Sequence, residues 1–129
     1  MLPDPAMEVI VATNCGHTRQ NLEAAFGSSP HRLTIVAAAT ELLRVCLRQG
    51  ADLALVDLDL GPFGGQDLIA LLRDVDADLK VVPLAGPGDV NQEFALRGVG
   101  IFYYMLKPID RDELMAVVES AHRTNGEVG

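Results

Sequence analysis

Asp57 stands at the end of an apolar run, Leu53-Ala-Leu-Val56, and a second acid, Asp59, follows two residues later. A carboxylate at the carboxyl end of a buried strand sits where ligand chemistry gathers in open α/β sheets. The other chemistry-bearing residues form weaker patterns. His17, His31 and His122 are far apart in sequence, and neither Cys15 nor Cys46 has a neighbour at metal-ligand spacing. Cys46 reads as a core residue and Cys15 as a thiol near the pocket mouth. The stretch Gly61–Gly65 lacks the lysine and hydroxyl of a nucleotide-binding loop, so it reads as a turn. No nucleophile, base and orienting residue converge in the expected topology, which argues against an enzyme.

The elements that must position Asp57 follow from periodicity. Strands are expected at Glu8–Thr13, Leu33–Ala37, Leu53–Asp57, Lys80–Leu84 and Ile101–Met105. Helices are expected at Gly16–Phe26, Thr40–Arg48, Asp67–Val75, Asn91–Arg97 and Glu113–His122, with Thr18 and Thr40 as caps and Gly98 as a stop. Apolar strands alternating with helices argue for a parallel sheet covered on both faces. The expected class is α/β: a doubly wound, five-stranded parallel sheet with helices on both faces. A flavodoxin-like order of 2-1-3-4-5 would set the ends of strands one and three side by side, although periodicity alone does not distinguish it from the order of other small doubly wound folds. One domain is expected over residues 7–123, with 124–129 a tail or the start of a linker.

Composition narrows the function classes. A chain of 129 residues, nearly half of them apolar, can bury a core without disulfides. Its net charge of −8 argues against nucleic acid bound by this segment itself. No apolar run approaches the ~20 residues needed to cross a bilayer, and the start lacks the pattern of a secretory signal. With only two cysteines, a cytoplasmic setting is the expectation.

Two segments carry a resemblance. Asp52-Leu-Ala-Leu-Val-Asp-Leu-Asp-Leu-Gly-Pro-Phe-Gly-Gly65 resembles the phosphoacceptor region of bacterial response-regulator receiver domains, and Tyr104-Met-Leu-Lys-Pro108 resembles their fifth-strand motif. The resemblance covers Glu8 to about His122. It implies that Asp57 is the phosphoacceptor, Gly65 the loop glycine, Lys107 the lysine that pairs with the acceptor, Pro108 the residue after it and Tyr104 the aromatic switch. It also implies a histidine kinase or other signalling protein as partner, and Mg²⁺ at the acceptor.

The sequence departs from that family at several positions. Thr13 and Asn14 stand where an acidic pair is usual, Ala85 replaces a switch hydroxyl, and Gly61 replaces a proline. Two lost carboxylates weaken neutralisation of Mg²⁺ and of the transferred group. The expectation is therefore a degenerate receiver acting through protein contacts, with no cofactor or weakly bound Mg²⁺, held weakly by Asp57. Asp59 is a candidate to compensate. Tyr104 is expected on an exposed face with the fourth and fifth helices, as a weak homodimer or partner surface. The alternatives are a working acceptor modified at Asp57 in a two-component system and, from another class, a flavodoxin-like cofactor binder. The last lacks a phosphate-binding loop after strand one.

Overall fold

The computed structural model describes residues 5–61, 64–89 and 91–126. Strands β1 (Glu8–Ala12), β2 (Arg32–Val36), β3 (Leu53–Asp57), β4 (Lys80–Ala85) and β5 (Met105–Leu106) form one sheet of order β2-β1-β3-β4-β5, every pair parallel. Helices α1 (Gly16–Phe26), α2 (Ala39–Arg48), α3 (Gly65–Val75), α4 (Glu93–Val99) and α5 (Arg111–Gly126) alternate with them. A short 3-10 turn, Pro87–Asp89, follows β4. Class, order and parallel pairing are as the sequence indicates.

The helices cover both faces because β1, β3 and β4 are apolar on both. Ile10, Ala54, Val56 and Val81 pack with Leu42, Leu68, Ile69, Leu72 and Leu96 on the α2–α3–α4 side. Val9, Val11, Leu55 and Val82 pack with Leu22, Phe26, Leu114 and Val118 on the α1–α5 side. Each fully buried leucine or isoleucine stabilises the fold by about 1.5–3 kcal/mol relative to exposure. Cys46 belongs to the first of these layers.

Several local expectations are corrected. Thr18 is not a cap: α1 is entered from Cys15, whose carbonyl accepts the Arg19 N–H, and Thr18 is buried within the first turn. Thr40 likewise lies inside α2, which is entered from Ala38. Gly98 lies inside α4, and the helix ends at Gly100, whose φ of +111° a side chain rarely adopts. β5 is only two residues long, although the Phe102 N–H still bonds to the Val81 carbonyl. α5 continues past His122 to Gly126. The final residues of the expected tail, 127–129, lie outside the described residues.

Candidate functional site

The sheet brings four chain segments to one edge. Ala12 pairs with Val56 and Asp57 with Leu84, so the residues following β1, β3 and β4 emerge together. Lys107 follows β5 directly, and its N–H donates to the Ala85 carbonyl at 2.8 Å, fixing the lysine backbone beside β4.

Asp57 is only 1% exposed, so its carboxylate must be partnered within the protein. Lys107 Nζ donates to Oδ1 at 2.9 Å and the Asp59 N–H to the same oxygen at 3.0 Å. The Thr13 hydroxyl donates to Oδ2 at 2.9 Å. Thr13 is itself buried, and its oxygen accepts the Cys15 N–H at 3.1 Å. Lys107 Nζ also reaches Asp59 Oδ2 at 3.3 Å, so two carboxylates converge on one ammonium. Burial alone would lower the lysine, but the hydrogen bonds and charges of Asp57 and Asp59 outweigh it and hold its pKa above the ordinary value.

These contacts overturn the degenerate reading. Counting charges treats Thr13 as a loss, whereas its hydroxyl orients the carboxylate from the side opposite Lys107. Asp57, Lys107 and Thr13 form an intact-looking triad. Asp59 lies in the loop after β3 and engages Lys107. Asn14 is exposed on the turn after Thr13.

Tyr104 is a second correction. It is buried, not exposed, and packs in the α2–α3–α4 layer with its hydroxyl donating to the Asp89 carbonyl at 2.7 Å. It therefore offers no anchor for a docking face. Tyr103 is half-buried and donates to Glu113 at 2.6 Å. Ala85 is fully buried at the end of β4. A Cβ on Gly65 would lie 2.5 Å from Leu58 Cδ2, which explains glycine at the start of α3. Pro108 is joined to Lys107 by a cis peptide bond and is exposed. Gly61 is exposed in the loop before α3.

Cys15 is partly exposed at the start of α1, where hydrogen bonds with Thr18 lower its thiol pKa. Two of the scattered histidines meet at the opposite end of the sheet: the rings of His31 and His122 lie 4.7 Å apart, edge to face. Asp89 was not singled out by sequence. Its signal is the spacing Gly86-Pro-Gly-Asp89, which lets an acid fold back on an amide three residues earlier.

Among the described residues no group of three or more histidine, cysteine or acidic side chains could hold a metal. Mg²⁺, however, is usually held by one or two carboxylates, several waters and phosphate oxygens. Asp57 and Asp59 fit that smaller requirement.

A doubly wound parallel sheet with an acid, a lysine and a hydroxyl gathered at its carboxyl edge marks a signalling receiver module. The chain belongs to the response regulator receiver domain family, whose pattern it matches over residues 9–119. It is 28% identical over 94 residues to the transcriptional regulatory protein GlrR of Escherichia coli, covering 73% of this chain and 21% of that protein. It is 27% identical over 120 residues to the DNA-binding transcriptional regulator NtrC of Azospirillum brasilense, covering 93% and 25%. The chain thus spans about a fifth to a quarter of these relatives' length. Among solved structures, a CheY-like response regulator receiver domain protein from Methanospirillum hungatei superposes with a TM-score of 0.88 at 16% identity, covering 97% of this chain and 100% of that one. Domains of this family work in two-component signalling, pair with signalling proteins and use Mg²⁺ at the accepting aspartate. Among the described residues no helix is long and apolar enough to cross a membrane.

Proposed function

We propose that this domain is a working phosphoacceptor, modified at Asp57 by a histidine-kinase partner. The observation that carries the reading is the Asp57 carboxylate held between Lys107 Nζ and the Thr13 hydroxyl, both at 2.9 Å. Three donors fix the nucleophile, so little reorganisation is needed at the moment of transfer. A carboxylate oxygen of Asp57 attacks the phosphorus of a phosphorylated imidazole. The new P–O bond forms as the P–N bond breaks, and the leaving imidazole takes up a proton. Lys107 stays beside the reacting group and offsets its added negative charge.

Asp57 and Asp59 would hold Mg²⁺, with weak affinity in the unmodified domain because only two carboxylates contribute. The bound ion supplies charge neutralisation of the phosphoryl oxygens. The receiver unit spans residues 7–123, with the last turn of α5 running on to Gly126.

The test is incubation with acetyl phosphate, with and without Mg²⁺, followed by intact mass. Uptake of one phosphoryl group that Mg²⁺ accelerates and Asp57→Asn abolishes is expected. No uptake by the unmodified sequence, or equal uptake by Asp57→Asn, would refute the reading.

A further inference from the structure

Asp89 is a buried carboxylate that the transfer site does not use, and it stands between that site and Tyr104. Its Oδ2 accepts the Gly86 N–H at 2.9 Å, and its Oδ1 accepts Gln92 Nε2 at 2.9 Å. Its main-chain oxygen accepts the Tyr104 hydroxyl at 2.7 Å. Gly86 lies at the mouth of the site. A Cβ there would be 3.7 Å from Asp59 Oδ2, 3.7 Å from Asp89 Oδ2 and 3.8 Å from Lys107 Cε. Two carboxylates and the lysine stem therefore surround this one residue. Its amide, an anion donor beside Lys107, is already taken by an internal carboxylate.

We propose that Asp89 is a positioning residue that couples occupancy of Asp57 to Tyr104, in place of the hydroxyl that Ala85 lacks. The inference rests on Asp57 accepting a phosphoryl group.

The coupling follows from charge and connectivity. A phosphoryl group on an amino-acid side chain adds a charge of about −1.5 to −2 and three strong acceptor oxygens. On Asp57 it repels the Asp89 carboxylate and competes for the Gly86 N–H. Asp89 is tied to Gly86 twice, since its own N–H donates to the Gly86 carbonyl at 3.0 Å. Losing the side-chain contact loosens the three-residue turn Pro87–Asp89. The Asp89 carbonyl moves with the turn, and Tyr104 loses the acceptor that holds its buried hydroxyl. An unpartnered buried hydroxyl is unfavourable, so the ring must find another partner or turn outward.

The experiment places 3-fluorotyrosine in a Tyr103→Phe background, so that a single fluorine NMR signal reports Tyr104. Spectra and intact masses are recorded on the same samples with and without acetyl phosphate and Mg²⁺. With Asp89 present, the Tyr104 signal moves in proportion to the mass gain. Asp89→Asn keeps an acceptor for Gly86 but no charge, and Asp89→Ala removes both. Both variants gain the phosphoryl mass, and the Tyr104 shift is lost. An undiminished shift in both, or a mass gain without any shift when Asp89 is present, overturns the coupling and leaves Asp57 as an acceptor. Loss of uptake in both variants alone also overturns it, because Asp89 would then act on transfer itself. Absence of mass gain in every protein overturns the acceptor reading and the coupling together.

Discussion

The Thr13 hydroxyl lies 2.9 Å from Asp57 Oδ2, on a carboxylate whose other oxygen is shared by Lys107 and the Asp59 amide. The neutral side chain thus orients the Asp57 carboxylate without adding charge. Thr13→Val removes this donor while keeping the branched shape and leaves a buried carboxylate oxygen unsatisfied. The expected cost is about 1–3 kcal/mol, read from urea unfolding at neutral pH. A variant as stable as the parent would show that the hydroxyl contributes nothing to holding Asp57.

Lys107→Met removes the cation from a carboxylate that stays buried. Removing one partner of a buried ion pair costs about 3–5 kcal/mol, and the partial exposure of Lys107 places this case near the lower end. Chemical denaturation of both proteins at neutral pH checks the size. Phosphoryl uptake should fall in the same variant.

His31 gives the fold its own acid sensitivity. The Met7 N–H donates to Nδ1 at 3.0 Å, so the buried ring is held neutral with its proton on Nε2. Burial and the adjacent His122 lower its pKa from the ordinary 6.5, against smaller opposing effects of Glu119 and Asp52. The unfolded chain therefore binds this proton first. The ring's contribution to stability is complete above the ordinary value and is lost as pH falls through the lowered one. Urea midpoints between pH 7.5 and 5 should decline, and His31→Gln, which can still accept from Met7, should flatten the slope. Equal slopes would remove His31 as the cause.

Gly65→Ala tests the tight start of α3. The added carbon would lie 2.5 Å from Leu58 Cδ2 and 3.3 Å from Gln92 Oε1. Overpacking of this kind costs about 1–3 kcal/mol, and thermal unfolding should show the drop. An unchanged midpoint would mean that Leu58 turns aside freely.

Much of this was legible in the sequence because burial writes itself into long apolar runs. β1, β3 and β4 are buried on both faces, so their positions and parallel pairing follow from hydrophobicity and chain reversal, whereas their order rests on the family resemblance. The sequence predicts a longer β5 because Ile101–Tyr104 are apolar for packing, while only Met105 and Leu106 pair regularly with β4. Strand alternation tells which neighbours of Tyr104 point apart, not which face a helix covers. Residue type at Thr13 reveals a lost charge, whereas its hydrogen bond depends on where β1 ends relative to β3. Asp89 carries little signal because its three partners come together only through the turn after β4.

The contact between His122 Nε2 and the Pro5 carbonyl, 3.0 Å long, brings the two ends of the described fold together. It lies where the parallel strands begin, whereas Asp57 and Lys107 lie where they finish, about five residues or ~16 Å away along the sheet. The polypeptide can therefore be reconnected without disturbing Asp57. A circular permutant that joins the two ends by a short flexible linker and opens the chain at an exposed turn on that same pole, such as Gly27–Ser28, should keep the Asp57 constellation intact.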